Sequence, residues 1–342
     1  MQQRRHIPRS GRAPFRRRPP ANAKILRMKS SLVCAATACA LLSPTAVKAE
    51  SVDPVAAVKR LMAGRFTAKV TEVGNVSPGS LSRVVDNTAK WFQYDVKRAG
   101  SIQLGRKGVV ASDLTRRVIF TRDDSKAILK DLVSKGDPVG RSLHVQRRTH
   151  RSVAANGKLY TTGPLYTKGH GWALRGPVHS GGAFSDQIIN VFEPKTLQRL
   201  LSDTDSKKRW TGRMGGAPGH KYVMVYGGKL SFADLYAASA TFRATVGPEL
   251  DAVLAKATVT WWLTTGMDGR PLKISSIWDT WITGRPVQPR RVEGSATTEF
   301  LSWRSGVSVK VPRNFVKVDG PAGGLPEFDD PMEVIREREK RE

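Results

Sequence analysis

The sequence predicts an α+β fold built on an antiparallel sheet. Short runs of alternating apolar and polar residues recur between Gly, Asp and Asn, two of them joined as a hairpin by Met267-Asp268-Gly269-Arg270-Pro271. A few stretches change to helical spacing behind an Asp-Pro or Glu-Pro start.

The composition bounds the class. The chain has 342 residues, 39% of them hydrophobic, with 20 Pro and two Cys, which excludes a low-complexity disordered protein and a disulfide scaffold. It can bury one sizeable core or two small ones, but not a bundle of membrane helices. Lys and Arg number 57 against 29 Asp and Glu, a net charge of +28. Residues 1–49 hold eleven of those cations and no carboxylate, so the remaining 293 residues carry 46 basic and 29 acidic side chains, a net +17.

That segment reads as a leader. Met28-Lys29 precedes an apolar run from Ser31 to Leu42, then Pro44 and Val47-Lys48-Ala49, with small residues where a signal peptidase cuts. Cleavage is expected between Ala49 and Glu50. The apolar run is too short to span a bilayer, which needs roughly 20 residues. The Arg-rich stretch before Met28 is either a long basic region or sequence upstream of a true start at Met28. Ala36-Thr37-Ala38-Cys39 is similar to a degenerate lipoprotein box lacking the usual Leu three residues before Cys39. Both cysteines, Cys34 and Cys39, fall inside the leader, so the mature chain is expected to form no disulfide and to use no thiolate.

In the mature chain Asp53 caps a short helix that opens at Pro54, carries Val55, Val58, Leu61 and Met62, and closes at Gly64. Phe66, Ala68 and Val70 then alternate as a first strand. Strand spacing returns at Trp91 to Val96, Ile102 to Leu104, Val118 to Thr121, Leu143 to Gln146 and Leu159 to Thr161, with a helix inserted over Asp124 to Lys135. Phe192-Glu193-Pro194 opens a helix with Leu197, Leu200 and Leu201. Tyr222 to Tyr226 is a strand, and Phe232 to Lys256 is helical apart from a break at Gly247-Pro248. The hairpin strands run from Thr258 to Thr264 and from Leu272 to Ile282, and two more, Thr297 to Trp303 and Val307 to Val311, close one domain over residues 50–318. From Asp319 to Glu342 the composition turns to Gly, Pro and charge, which predicts a disordered tail.

Catalytic signatures are missing from this chain. His144, His150, His170, His179 and His220 stand at no metal-binding spacing, and no Gly-x-Ser-x-Gly elbow or glycine-rich phosphate loop occurs. Asp113, Asp123 and Asp124 sit beside Arg116, Arg117 and Arg122, as solvated turn charges commonly do. No enzyme activity, metal or cofactor is expected.

The hairpin is the most informative segment. Val259, Trp261 and Leu263 share one side of the first strand while Thr258, Thr260, Trp262 and Thr264 take the other. On the second strand Leu272, Ile274, Trp278 and Ile282 oppose Lys273, Ile277, Asp279 and Trp281. Indole rings on both sides predict that each side is at least partly covered, whereas a sheet wetted on one side alternates cleanly. Helices cover one side in this reading, and either ordinary core packing or a hollow for an apolar ligand accounts for the rings.

The order of segments resembles the LolA-like superfamily of envelope carriers for lipoproteins and lipids, in particular the secreted LppX/LprG-type lipoproteins of actinobacteria. The resemblance rests on Tyr160 to Tyr166, Phe192 to Leu197, the Tyr222 to Tyr226 strand and the hairpin from Val259 to Lys273. Phe300-Leu301-Ser302-Trp303 and Val307 to Pro312 look like that family's last two strands. It implies a curved, half-open antiparallel β-barrel with helices covering the concave face, and a non-enzymatic protein that takes a lipid or acyl chain into a cavity. Its expected ligand wall is Phe66, Val70, Trp261, Leu263, Ile274 and Trp278. Two departures are the lack of a convincing lipoprotein box and a long basic stretch from Arg116 to His150.

The mature charge favours anionic partners, which outside the cytoplasm are membrane headgroups or wall polymers. Arg147-Arg148-Thr149-His150-Arg151 and Lys207-Lys208-Arg209-Trp210 are the expected docking patches. A secreted or envelope location makes nucleic acid an unexpected partner, and a monomer is expected. The second functional reading is an envelope sensor or regulatory protein that captures a protein segment.

Overall fold

A computed structural model describes residues 51–77, 93–167, 171–177, 187–284 and 287–318, with only the backbone described at 76–77, 176–177, 280–284 and 287–292. The expected leader at 1–49, both cysteines, Trp91, His170, His179 and the tail at 319–342 lie outside them. The chain divides into Met1–Ala49 and Glu50–Glu342, and everything below concerns the second unit.

Its first element obeys the capping rule. The Asp53 carboxylate accepts from the Val55 and Ala56 amides, and with Pro54 at the first turn it starts α1 (Pro54–Ala63), which buries Val55, Val58, Leu61 and Met62. Twelve strands follow among the described residues: β1 (Thr67–Ser77), β2 (Tyr94–Gly105), β3 (Gly108–Ile119), β4 (His150–Ala155), β5 (Lys158–Thr162), β6 (Ala173–Pro177), β7 (Thr204–Thr211), β8 (Tyr222–Ser231), β9 (Thr258–Gly266), β10 (Pro271–Gly284), β11 (Val287–Arg304) and β12 (Val316–Lys317). They form one sheet in the order β12-β6-β5-β4-β3-β2-β1-β11-β10-β9-β8-β7. Every pairing is antiparallel except β12 with β6. The sheet is open, since β12 and β7 at its two ends do not pair with each other.

Seven further helices complete the α+β architecture: α2 (Asp123–Ser134), α3 (Pro138–Gln146), α4 (Pro164–Thr167), α5 (Pro194–Ser202), α6 (Phe232–Ala238), α7 (Ala240–Val246) and α8 (Ala252–Ala255). They cover one face of the sheet, called inner below, in two groups. Helices α2 and α3 bury Ile128, Leu129, Leu132 and Leu143 against Tyr94, Val96, Val118 and Phe120 of β2, β3 and the residue after it. Helices α1, α5, α6, α7 and α8 pack on β1 and β8 to β11, in a cluster that includes Leu197, Leu200, Phe232, Leu235, Phe242 and Leu254.

Two expected strands are corrected. Leu143 to Gln146 is the last turn of helix α3, because Asp137 caps the Gly140 amide at 2.8 Å with Pro138 in the first turn, the same device that starts α1. Val307 to Val311 joins no ladder. Strand β11, which precedes it, is already hydrogen-bonded on both edges by β1 and β10. The segment crosses the outer face instead, where Val309 and Val311 pack over Ala111, Val153, Ala155, Tyr160 and Leu174. The Val309 amide donates to Gln103 Oε1 at 3.0 Å, and Phe315 meets the Tyr160 ring edge-on at 5.1 Å. The runs Trp91 to Val96 and Ile102 to Leu104 belong to one strand where described, β2.

Candidate functional site

The β9–β10 hairpin sets the centre of the inner face. Its turn closes through the Gly266 amide to the Arg270 carbonyl at 2.9 Å and the Gly269 amide to the Gly266 carbonyl at 3.0 Å, with Gly269 at φ 79°. The resulting register puts Leu263 opposite Ile274, Trp261 opposite Ser276 and Val259 opposite Trp278. Strand β11 then sets Thr298, Ala296 and Gly294 beside Ile274, Ser276 and Trp278. Four residues of the expected wall therefore adjoin one another. Val70 lies one strand beyond β11, opposite Phe300, in the same cluster. Phe66 is half-buried at its edge, just before β1.

These side chains are enclosed. Trp261, Leu263 and Ile274 are 0% exposed, Trp278 1% and Val70 4%. Phe232 of α6 meets the Trp278 ring edge-on at 6.1 Å and Phe242 of α7 at 5.1 Å, while Phe192 contacts Phe300 at 5.2 Å and Trp303 at 5.7 Å.

Glycines make room for the indoles. A methyl group on Gly294 would stand 2.3 Å from Trp278 Cζ2, and one on Gly228 would stand 3.1 Å from Trp261 Cζ2. Each ring thus lies across the neighbouring strand at a position where only a glycine admits it. Both indole Nε1–H groups are buried with no hydrogen-bond acceptor among the described residues. A buried polar group left unpaired costs about 1–3 kcal/mol, so two of them in one apolar layer require an explanation. Nearby, on β8 opposite Leu263, burial pushes the Tyr226 phenol above its ordinary pKa, with the Ser51 hydroxyl opposing and the Asp53 carboxylate adding to the rise.

A row of polar side chains crosses the same face and separates the two helix groups. Cross-strand register aligns His150, Arg116, Arg98, Glu72 and Thr298 on β4, β3, β2, β1 and β11, all less than a tenth exposed. Arg98 Nη1 donates to Glu72 Oε1 at 2.9 Å, the Thr298 hydroxyl donates to Glu72 Oε2 at 2.8 Å, and Arg116 Nη1 donates to Gln146 Oε1. His150 Nε2 accepts from the Leu165 amide at 3.2 Å, which fixes the proton on Nδ1, 2.8 Å from the Arg148 carbonyl. Both ring nitrogens are thereby engaged in structure. Next to this row the Ser276 hydroxyl donates to Gln187 Oε1 at 2.7 Å, and Gln187 Nε2 caps the carbonyls of Ile274 and Ala296 at 3.4 Å.

On the outer face the turn from Gly212 to Lys221 folds over β8 and β9, with the Thr264 hydroxyl donating to the Gly215 carbonyl at 3.2 Å. Trp262 is half-buried there and Ile277 is 44% exposed. The side chain of Trp281 lies outside the described residues. The carboxylates beside arginines form surface pairs: Asp113 takes two bonds of 2.7 Å from Arg151, and Asp124 pairs with Arg122 at 3.1 Å. Asp123 pairs with Lys126 at 2.9 Å.

The two expected docking patches differ. His150 is buried and Arg151 is held by Asp113, so the first cluster is divided between interior and surface. Lys207 to Trp210 occupies the edge strand β7. Among the described residues no group of three or more His, Cys, Asp or Glu could hold a metal ion, and no helix is long and apolar enough to cross a membrane. Sequence reasoning did not find the polar row, because its members are spread from position 72 to 298 and only register joins them. In comparisons with known proteins, no family model and no curated protein matches the chain.

Proposed function

We propose that this is a secreted, non-enzymatic envelope protein of the LolA-like kind, which binds a lipid or acyl chain between the inner face of its sheet and the covering helices. Val70, Trp261, Leu263, Ile274 and Trp278 form the wall in this reading, with Phe66 at the rim. The observation that carries it is the pair of buried indole N–H groups of Trp261 and Trp278 with no acceptor among the described residues, inside a layer rich in hydrocarbon and aromatic side chains. An ester or amide carbonyl at the head of an acyl chain supplies such an acceptor, and the chain itself replaces helix contacts with equivalent apolar ones. Because the wall is closed over, loading requires a covering helix to move aside. On β2 and β3 the polar row lies between Ile102, Leu104 and Leu114 of the apolar layer and Tyr94, Val96 and Val118 under α2 and α3, so the chain is confined to the part of the face under α1 and α5 to α8.

Native mass spectrometry and solvent extraction of the purified protein test this directly. A bound acyl species is expected, together with uptake of a fluorescent fatty acid that Trp278→Ala weakens about tenfold or more. A clean ligand-free mass with no uptake would overturn the reading, and a discrete protein adduct recovered by crosslinking in cells would replace it with partner capture.

A further inference from the structure

The edge strand β7 and the turn that follows it concentrate unbalanced charge. Residues 204–221 contain Lys207, Lys208, Arg209, Arg213 and Lys221 against one carboxylate, Asp205. Among the described residues no carboxylate lies within ion-pair distance of Lys207, Lys208, Arg213 or Lys221. Lysines on an edge strand ordinarily serve to block pairing with other chains. Two observations here go beyond that role.

First, the cations are arranged over aromatic rings. The Arg209 guanidinium lies 4.2 Å from the centre of the Tyr222 ring, Lys221 Nζ is 5.7 Å from the same ring, and Lys207 Nζ is 5.5 Å from Tyr226. Second, the adjoining turn holds apolar groups in water. Met214 in the turn is 58% exposed, Tyr222 at the start of β8 is 38% exposed, and Trp210, opposite Val223 on the other face of the edge, is half-buried. The turn itself is built, with the Gly215 amide bonded to the Thr211 carbonyl at 2.9 Å, the Ala217 amide to the Gly212 carbonyl at 2.7 Å and the Gly212 amide to the Lys221 carbonyl at 3.2 Å. Exposure of Met214 is therefore a property of an ordered surface.

From this juxtaposition we infer that β7 and the Gly212–Lys221 turn dock on an anionic phospholipid bilayer. Docked edge-on, Lys207, Lys208, Arg213 and Lys221 meet headgroup phosphates, while Met214, with Trp210 and Tyr222 on the two faces of the edge, enters the interfacial layer, where amphipathic rings and flexible apolar chains are favoured. A wall polymer would match the charge but leave Met214 in water. The inference uses residues apart from the interior wall and stands whether or not an acyl chain binds there. If one does, β8 lies directly behind the docked edge and β9 next, so Leu263 and Trp261 are the residues of the proposed wall nearest that edge.

Hydrogen–deuterium exchange of the full chain with vesicles of phosphatidylglycerol and phosphatidylcholine locates the contact regardless of what other segments do. Amides of 204–221 are expected to gain protection with the anionic vesicles, not with phosphatidylcholine alone, and to lose it at high salt. Each cation contributes roughly a fivefold factor in partitioning, so Lys208→Gln with Arg213→Gln should raise the anionic lipid needed for half-protection by about 25-fold. Met214→Ser should raise it further without changing the salt dependence. Lys59→Gln with Lys130→Gln, an equal charge change on α1 and α2 away from both basic patches, should leave it unchanged. Protection confined to other segments, equal protection on phosphatidylcholine, or an equal loss in the control pair would overturn the docking surface. None of those results bears on whether the purified protein carries an acyl species.

Discussion

The two helix groups on the inner face solve the same packing problem with different materials. Helices α2 and α3 present aliphatic side chains, Ile128, Leu129, Leu132 and Leu143, to Tyr94, Val96, Val118 and Phe120. The cluster under α1 and α5 to α8 is rich in Trp and Phe and leaves two indole donors unpaired. Its covering helices are also tied down at their ends by carboxylates. Glu193 accepts from the Thr241 amide at 2.8 Å and hydroxyl at 2.6 Å, and from the Ser239 and Thr196 hydroxyls at 2.7 and 2.9 Å. The first group has the character of a core that only holds the fold together. The second is an aromatic layer held at its margins by polar anchors, and it is the layer in which the proposed acyl chain would replace helix contacts.

The border between them offers the largest effect. Glu72 is the acceptor for both Arg98 and Thr298, and removing a buried ionic partner commonly costs about 3–5 kcal/mol. Glu72→Ala should therefore shift the denaturant midpoint by that amount, and Glu72→Leu with Arg98→Met should recover most of the loss. A cost below about 1 kcal/mol in the single variant would mean that the row does not organise the two halves.

A smaller contrast separates the halves from each other. Leu132 is fully buried in the aliphatic group, so Leu132→Ala should cost about 3 kcal/mol and leave fatty-acid uptake unchanged. Trp278→Phe should cost less than about 2 kcal/mol, since the unpaired N–H departs with the indole, but should weaken uptake. Equal uptake in both variants would erase the functional distinction.

Much of this architecture was legible from local pattern. The hairpin, α1, α2 and α5 follow from period and from proline or aspartate at their starts, because those signals act within a few residues. Helix α3 carries the same Asp-Pro signal at Asp137-Pro138, but Leu143 and Val145 alternate with polar neighbours, and that two-residue period masked a helix of only nine residues. Strand β7 was read as a charge run because six of its eight residues are exposed, and its membership in the sheet comes from hydrogen bonding to β8 rather than from an apolar side. That Trp261, Leu263, Ile274 and Trp278 are neighbours was legible because hairpin register is fixed by its turn, whereas the place of Phe66 and Val70 depends on the pairing of β1 with β11. The polar row was not, since Glu72 and Thr298 are 226 positions apart. A weaker signal was present in Gly228 and Gly294, glycines inside strand patterns, which mark the places where the indoles cross.

The mildest test concerns the anchors at the margin of the aromatic layer. At the start of α6 the Ser231 hydroxyl accepts from the Asp234 amide at 3.0 Å and donates to the Asp234 carboxylate, which also pairs with Arg199 at 3.1 Å. The bond from Ser231, opposed by desolvation and aided by the pairing with Arg199, holds this carboxylate below its ordinary value of 3.8. A depressed folded-state pKa means that the stabilisation is complete above about pH 4 and fades as pH falls through the folded value. Asp234 is 44% exposed, so water screens most of this contribution. Ser231→Ala should cost about 1 kcal/mol near neutral pH through the lost cap and flatten the decline in stability below pH 4. Leu132→Ala, which removes packing but no partner of a carboxylate, should keep the decline of the parent protein, so acid melts of the two variants separate loss of the Asp234 anchor from loss of apolar contact.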